Sequence, residues 1–268
     1  MYEVLEASLA DTGRLFAYLQ NQVFGSEFNL KGFDYPWILS TRTWRKGEKV
    51  LDVGAGFSKL PMHIASDHEC EVWAVDDFGR SEGSEFWERG RSPQELIEGS
   101  PEVKYVLERL GEPETSSLPT SYFDCIYSAS ALEHVPTELA QNVWIHMDEL
   151  LRPGGEMLHA VDIALPTSRG FGHVMLAYLF DLLSFLSPNA IKSKYMYETP
   201  ASYIWTVQSS VGFANRPDRR KVSVLKMVID PEILTDPPTN TFNRITKDDM
   251  RGMRHFRVAS LLLHLRKI

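Results

Sequence analysis

The sequence predicts an α/β protein built on a doubly wound, mostly parallel sheet, and three observations lead to this fold class. Apolar stretches of strand length alternate with segments of helical periodicity through residues 48–161. A tight turn with two glycines follows the first of these strands. Two further candidate strands, at residues 221–228 and 257–265, would complete a seven-stranded sheet with an antiparallel edge strand.

The elements follow one another in a regular order along the chain. Apolar positions at near-helical spacing predict two helices, at residues 9–24 and 35–44, before the sheet begins. Strands are predicted at residues 50–53, 71–75, 103–108, 123–127 and 157–161. Helices are predicted at residues 58–66 and 137–151, and the turn Arg152-Pro153-Gly154-Gly155 ends the second of them.

Two other segments are less regular. Residues 79–101 are polar and contain glycine, which predicts a surface excursion with a short helix or a mobile flap. Residues 174–186 are mostly apolar around Asp181, which predicts a buried helix, a lid or a partner-facing helix. A homo-oligomer formed through this helix is therefore one expectation.

The composition is that of an ordinary soluble protein. The 268 residues are 43% hydrophobic and 24% charged, with a net charge of −8. Two cysteines, Cys70 and Cys125, are too few for a disulfide framework or a structural zinc site, which favours a reducing compartment. The N-terminus lacks a signal-peptide pattern and no apolar run reaches about 18 residues, so we expect a cytoplasmic protein without a membrane span.

Charge is distributed unevenly along the chain. Residues 1–161 hold 27 acidic and 13 basic residues, whereas residues 162–268 hold 9 acidic and 15 basic ones. The acidic balance argues against nucleic acid as a partner. The basic residues of the C-terminal part either face an anionic substrate, form a solvated loop or dock on the acidic part. These residues are Arg216, Arg219, Arg220, Lys221, Arg251, Arg254 and Arg257.

The segment from Val50 to Ser58 has the character of a cofactor loop. Gly54 and Gly56 allow a tight turn and close approach of a ligand, and Ser58 is placed to cap the following helix. A dinucleotide fingerprint would carry a third glycine where Lys59 stands. Asp52, just before the glycines, would repel a pyrophosphate but attract the sulfonium and ammonium groups of S-adenosylmethionine.

The second strand ends at another candidate site. Asp76 follows it directly, where a carboxylate accepts hydrogen bonds from both hydroxyls of a ribose. This position fits an adenosine-type ligand without choosing between S-adenosylmethionine and a nicotinamide cofactor. Asp77 and Phe78 come next, and the aromatic ring of Phe78 is placed to lie against an adenine.

Four segments in this order resemble the class I S-adenosylmethionine-dependent methyltransferases. They are Val50-Leu51-Asp52-Val53-Gly54-Ala55-Gly56; Ala74-Val75-Asp76; Leu118-Pro119 with Phe123-Asp124-Cys125-Ile126 and Leu132-Glu133-His134-Val135; and Leu150-Leu151-Arg152-Pro153-Gly154-Gly155. The resemblance covers about residues 48–161. It implies a Rossmann-like sheet with helical additions at the N-terminus and after the fifth strand.

The resemblance also implies roles for individual residues. The methionine part of the cofactor would be lined by Asp52, Gly54, Ala55 and Gly56, with Ser58 in place of a third glycine and with Ser128 and Ala129 at its border. The ribose would bind Asp76, and the adenine amino group would lie near Glu114 and Thr115. We expect one domain over residues 1–268, with a preamble at 1–47, the cofactor core at 48–161 and the substrate side at 162–268.

Methyl transfer to an alcohol needs a base near the end of the fourth or fifth strand. The candidates are His134, His159 and Asp162, although His134 lies in a segment that also suits a packing role. His159 and Asp162 are three residues apart, so they point to opposite faces of a strand and only one easily reaches the site. Together with His173 they show no diagnostic metal spacing, and no metal is predicted.

The leading hypothesis is a cytoplasmic methyltransferase acting on a small molecule, at an oxygen of a sugar-like or anionic metabolite. The first alternative is a non-catalytic binding or scaffold protein that uses residues 174–186 as its partner surface. A less favoured alternative is an NAD-dependent oxidoreductase, against which Asp52 and Lys59 both argue.

Overall fold

A seven-stranded mixed sheet organises the protein, whose computed structural model describes residues 1–5, 31–78, 92–166, 200–214 and 256–268. The strands are β1 (Tyr2–Val4), β2 (Lys49–Val53), β3 (Glu71–Val75), β4 (Val103–Val106), β5 (Phe123–Ala129), β6 (Leu151–Pro166) and β7 (Phe256–Lys267). The helices within these ranges are α1 (Lys31–Thr41), α2 (Leu60–His68), α3 (Pro93–Gly99), α4 (Thr137–Leu150) and α5 (Pro200–Val211). Two short 3-10 turns are Pro113–Thr115 and Leu132–His134. None of these helices is long and apolar enough to cross a bilayer.

The order of the strands creates a crevice at one edge of the sheet. The order is β1-β7-β6-β5-β2-β3-β4. Strands β4, β3, β2, β5 and β6 run parallel, and β7 is antiparallel to both of its neighbours, β6 and β1. The chain order reverses at β2, which has β3 on one side and β5 on the other. In open α/β sheets ligands bind at such a switch point, outside the carboxyl ends of the strands.

Two hydrophobic cores cover the two faces of the sheet. One core packs against α1 and α2 and includes Trp37 and Tyr127. The other packs against α4 and α5 and includes Trp144 and Ile126. Because Ile126 and Tyr127 are consecutive in β5, the two-residue period of the strand decides which pair of helices each side chain meets.

The predicted seven-stranded, mostly parallel sheet is confirmed. Strand β3 occupies the predicted residues, and β6 extends beyond its predicted range at both ends. The predicted final strand is present as β7, but it is second from the edge, and β1 forms the edge beside it. The three residues of β1 are too few to show a periodic pattern, so this strand was not predicted.

Several predicted elements lie outside the described residues. They are the helices at 9–24 and 174–186, the strand at 221–228 and the part of the polar segment at 79–91. The short helix expected within 79–101 is α3, at its C-terminal end. Helices α1 and α2 confirm the helices predicted at residues 35–44 and 58–66, with boundaries shifted by a few residues.

Candidate cofactor and acceptor site

The loop after β2 leaves no space for a side chain at Gly54. This residue has a φ of +71°, and its N–H donates to the carbonyl oxygen of Val75, at the end of β3, over 2.9 Å. A Cβ atom on Gly54 would overlap the Cβ of Ala131, in the loop after β5. The absence of a side chain at Gly54 therefore lets the loops after β2, β3 and β5 meet at the switch point.

Asp76 joins two of these loops through its carboxylate. Its Oδ2 accepts the backbone N–H of Gly56 over 2.8 Å, and its Oδ1 accepts that of Phe78 over 2.6 Å. Gly56 and Phe78 both have positive φ, at +50° and +51°. Asp76 is half-buried, and an acid at the end of the second strand is the usual acceptor for the hydroxyls of a ribose. The position therefore fits a ligand with two vicinal hydroxyls.

An aromatic pair lies beside Asp76. The rings of Phe57 and Phe78 meet edge to face, with centroids 5.3 Å apart and an angle of 61° between their planes. Phe78 is buried and Asp77 is half-buried. Phe57 was not predicted as a site residue, because its contact depends on the positive φ of Phe78, which no sequence pattern indicates.

Asp52 is buried in the sheet, where it pairs with a tyrosine. Its side chain is 3% exposed, and its Oδ2 accepts the hydroxyl proton of Tyr127 over 2.9 Å. The two residues are opposite each other in β2 and β5. Burial, followed by the negative charge of Asp52, raises the pKa of Tyr127 well above its ordinary value. Asp52 therefore has a fixed neutral donor on one side.

The start of α2 differs from the predicted capping, because the N-cap residue is Lys59, which makes no side-chain cap hydrogen bond. The hydroxyl of Ser58 accepts the backbone N–H of Leu60, the first residue of the helix, over 3.1 Å. Ala55 is buried beneath the loop, with 4% exposure. The helix begins two residues later than predicted, because Ser58 bonds to its first turn from outside.

The residues predicted for the adenine end are exposed. Glu114 and Thr115 lie in the first 3-10 turn, where the hydroxyl of Thr115 donates to the carbonyl oxygen of Glu112 over 3.2 Å. Glu108, which was not predicted, orders the segment that follows. Its carboxylate accepts the N–H and the hydroxyl of Ser117 at 2.9 and 3.0 Å and the hydroxyl of Ser116. Glu108 could have been predicted as a site residue, because an acid that soon follows the end of a strand lies at the edge of the sheet.

Ser128 and His159 are buried within the sheet on the face of α4. They are opposite each other in β5 and β6, and the Ser128 hydroxyl lies 2.8 Å from Nδ1 of His159. The ring of Trp144 packs against His159 at 4.9 Å. Burial lowers the pKa of His159 to about 3, so its imidazole is neutral. Ser128 lies within β5, not beyond it as predicted, and Ala129 is the last residue of that strand.

Asp162 faces the other side of β6, as the two-residue period requires. The hydroxyl of Ser130 lies 3.1 Å from Oδ2 of Asp34 in α1 and 3.5 Å from Oδ1 of Asp162. Glu133, in the second 3-10 turn, is 3% exposed. Burial and then the charge of Asp162 raise the pKa of Glu133 well above its ordinary range. Asp34 and Asp162 thus lie on either side of the Ser130 hydroxyl, and Glu133 lies near Asp162.

His134 is the exposed member of this neighbourhood. Its side chain is 58% exposed, and its Nε2 lies 3.9 Å from Oε1 of Glu133. Of the three predicted base candidates, Asp162 and His134 both lie near Glu133 at the switch point. His159 lies on the opposite face of the sheet. Neither Asp34 nor Glu133 was predicted as a site residue, because their approach depends on how α1 crosses β5 and β6.

Within the described residues, no group of three or more His, Cys, Asp or Glu side chains is arranged to hold a metal ion. The glycine loop, however, has the form of a cradle for an organic cofactor. Gly54 packs directly against Ala131, and the Asp76 carboxylate accepts the N–H groups of Gly56 and Phe78 beside it. The donor set therefore fits the adenosine and methionine parts of S-adenosylmethionine.

Comparison with known proteins agrees with this geometry. A family model described as a methyltransferase domain matches residues 51–159. The chain is 15% identical to phosphoethanolamine N-methyltransferase 2 of Haemonchus contortus in complex with S-adenosyl-L-methionine, with a TM-score of 0.54. A second structure of that enzyme, with phosphomonomethylethanolamine and S-adenosylhomocysteine, is 16% identical with the same TM-score. Each match covers 96% of this chain and 57% of the other.

The chain thus spans less than two thirds of the length of these N-methyltransferases, and at such low identity the likeness shows the fold alone. No curated protein sequence matches the chain. The matched segment, residues 51–159, contains the glycine loop, Asp76 and the loop after β5. Residues 51–159 thus match a methyltransferase-domain family model, and the sheet has the Rossmann-like fold of the S-adenosylmethionine-dependent methyltransferases.

Proposed function

We propose that this protein binds S-adenosylmethionine at the carboxyl ends of β2, β3 and β5 and transfers its methyl group to a small molecule. The observation that carries the proposal is the bonding of Asp76 to Gly56 and Phe78, which fixes an acidic ribose site against the glycine loop. Asp77, Phe78, Glu114 and Thr115 are assigned to the adenosine side. Asp52, Gly54, Ala55, Gly56, Ser58, Ser128 and Ala129 are assigned to the methionine side.

Bound S-adenosylmethionine supplies a methyl group already activated by the sulfonium. The residues of the chain then have three tasks: to hold the acceptor in line with the carbon–sulfur bond, to exclude water and to remove a proton from the acceptor. Asp162 is the proposed base, because it faces the loop after β5 at the switch point. His134 is the alternative base. His159 is assigned a packing role instead, since its ring lies buried under Trp144.

The acceptor was predicted to be an oxygen of a sugar-like or anionic metabolite. Support for that choice is the positive charge of residues 162–268. Of the basic residues that motivated it, Arg257 is in β7, and the others lie outside the described residues. Within the described residues, the groups beside the loop after β5 are acidic instead. The same comparison proteins carry the names of N-methyltransferases, which agrees with an acceptor that is not anionic at the reacting atom.

Cofactor binding is tested by isothermal titration with S-adenosylmethionine. Asp76→Asn removes an acceptor and a charge from the ribose site, so the affinity should fall roughly 10- to 100-fold. Asp67→Asn is the matched control, because Asp67 is 58% exposed on α2, where it pairs with His63. Equal affinity of wild type and Asp76→Asn would show that the ribose is bound elsewhere.

Activity is tested by transfer of a labelled methyl group from S-adenosylmethionine into fractionated small molecules. A labelled product supports the proposal. No affinity for the cofactor, together with a stable hetero-complex, would instead favour the scaffold alternative. A nicotinamide absorbance assay tests the oxidoreductase alternative, which Asp52 and the missing third glycine oppose.

A further inference from the structure

The segment after β4, residues 107–118, is a closed loop with one exposed turn. The Glu108 carboxylate accepts hydrogen bonds from the N–H and the hydroxyl of Ser117 and from the hydroxyl of Ser116, so it joins the two ends of the segment. Between these ends lies the exposed 3-10 turn Pro113–Thr115. Because β4 runs parallel to β3 and β2, the segment begins at the same edge of the sheet as the glycine loop.

The segment docks on α4 at Gly111. This glycine is buried and has a φ of +105°. A Cβ there would lie 3.0 Å from Cγ2 of Val143 and 3.4 Å from its backbone nitrogen. Leu110 and Leu118, on either side of the exposed turn, lie in the same hydrophobic core as Val143. The backbone of the segment therefore packs directly on α4, which only glycine allows at this position.

His146, one turn after Val143 in α4, makes the polar part of this contact. It is 2% exposed, and its Nδ1 accepts the backbone N–H of Gly111 over 3.1 Å. A backbone N–H can only donate, so Nδ1 carries no proton and the imidazole is neutral. Burial lowers the pKa of His146, and the charges of Glu149 in α4 and Glu108 oppose that shift.

We propose that His146 is a positioning residue of the cofactor site, which holds the segment after β4 through Gly111 so that its exposed turn receives the adenine. This inference rests on the proposed function, in which Glu114 and Thr115 belong to the adenosine side. Only two residues, one of them Pro113, separate Gly111 from Glu114, so a shift at Gly111 moves the turn. A protonated imidazole cannot accept the hydrogen bond, and acid pH should therefore weaken adenosine binding.

Two ligands locate the effect of His146 within the cofactor site. S-adenosylhomocysteine and 5′-methylthioadenosine are titrated calorimetrically at pH 7.5, and the second ligand lacks the amino acid part. His146→Leu should weaken both ligands roughly 10-fold, because the buried N–H of Gly111 loses its acceptor. His146→Asn should stay closer to wild type, since the asparagine carbonyl oxygen is as far from the backbone as Nδ1 and can accept the same N–H.

The pH dependence separates positioning from a general structural role. Wild-type affinity for both ligands should fall as the pH decreases below 6.5, by about tenfold per pH unit at most, because protonation of His146 opposes binding. His146→Asn should lack this component. His264→Asn is the matched control and should keep the wild-type pH curve. His264 is also buried, but β6, β5, β2 and β3 separate its strand β7 from β4.

An NMR titration of the His146 ring tests the same coupling in the wild type. Saturation with S-adenosylhomocysteine should lower the pKa of His146, because a ligand that binds the neutral form favours that form in return. This measurement needs no variant, so it decides the question even where His146→Leu or His146→Asn does not fold.

Parallel pH curves for wild type and His146→Asn, or an NMR titration of His146 that the ligand does not shift, would overturn the inference. A loss in His146→Leu confined to S-adenosylhomocysteine would also overturn it, because the contact would then serve the methionine side. If the wild type binds both ligands and His146→Leu binds them equally well, the inference fails alone. A wild-type protein that binds neither ligand defeats the proposed function and the inference with it.

Discussion

At the scale of single residues, Gly54 holds the site together by having no side chain. A side chain at Gly54 would be disfavoured for two reasons, the backbone φ of +71° and the overlap of its Cβ with Ala131. The two effects can be measured separately. Gly54→Ala should destabilise the fold by about 2–4 kcal/mol, from backbone strain and overpacking together. It should also weaken S-adenosylmethionine binding, because the loop must move away from Ala131. Chemical denaturation and titration calorimetry measure the two effects.

Gly47 provides the matched control for this substitution. It has a similar φ of +78°, and a Cβ there would meet nothing within 4 Å. Gly47→Ala should therefore show the strain alone, about 1 kcal/mol, with cofactor affinity unchanged. The double variant Gly54→Ala with Ala131→Gly should recover affinity, since it removes the overlapping methyl. If the double variant binds no better than Gly54→Ala alone, the overlap is not what positions the loop.

Residue types and strand ends are enough to predict which side chains follow a strand, whereas contacts between strands and helices are not encoded locally. Asp76 could be placed because it directly follows an apolar strand. The opposite orientations of His159 and Asp162 followed from strand periodicity. That Ser128 would lie opposite His159, and that Asp34 would approach Asp162, depends on register and helix crossing. Neither is encoded in local sequence spacing.

At the scale of elements, the irregular first part of β6, predicted as the Arg-Pro-Gly-Gly turn, depends on Gly155 more than on its neighbour. A Cβ on Gly155 would lie 2.8 Å from Cδ1 of Leu151 and 2.9 Å from the carbonyl oxygen of Arg152. Leu151 is fully buried, and a backbone oxygen cannot swing aside. Gly155→Ala should therefore destabilise the protein by roughly 2–3 kcal/mol.

Gly154 is the control for this turn. It has a φ of +74°, but a Cβ there would meet open space. Gly154→Ala should cost about 1 kcal/mol, from strain alone. Urea unfolding of both variants measures the difference. A larger loss for Gly154→Ala would mean that backbone conformation, not crowding against Leu151, sets the start of β6.

The start and end of the sheet show why some elements were easier to predict than others. The Arg-Pro-Gly-Gly turn was visible as a helix stop, because proline and glycine act locally. Strand β1 was not visible, since it is held by partners distant in sequence. Its Tyr2 pairs with Lys267 in β7, and the Tyr2 hydroxyl donates to Asp148 of α4 over 2.8 Å.

At the scale of the whole molecule, the parallel sheet could be predicted because buried parallel strands are continuous apolar runs of fixed length. The switch point is known only from the strand order in the structure, and the glycine loop follows β2, the strand at which that order reverses. The proposed acceptor side was harder to predict, because the residues assigned to it come from α1, β6 and the loop after β5. Its acidic character is opposite to the charge of residues 162–268.

Buried histidines and a buried glutamate change the stability of the protein with pH in opposite directions. The pKa of His159 is lowered to about 3, so its contribution is present above pH 6.5 and is lost as the pH falls towards 3. His146, whose pKa burial also lowers, acts in the same direction. The pKa of Glu133 is raised, so its contribution is present below pH 4.5 and is lost as the pH rises. Between pH 4.5 and 6.5 the two slopes partly cancel.

Substituting His159 or Glu133 should make the pH dependence due to the remaining residue visible. Relative to wild type, His159→Gln should gain stability as the pH falls from 6.5 to 4.5, by about 2 kcal/mol over that range. Glu133→Gln should instead gain stability relative to wild type as the pH rises over the same range. Urea unfolding at half-unit pH steps measures both differences. Parallel stability curves for wild type and His159→Gln would mean that the imidazole reaches water in the folded protein. Parallel curves for wild type and Glu133→Gln would mean that the Glu133 carboxyl ionises in the folded protein without a cation beside it.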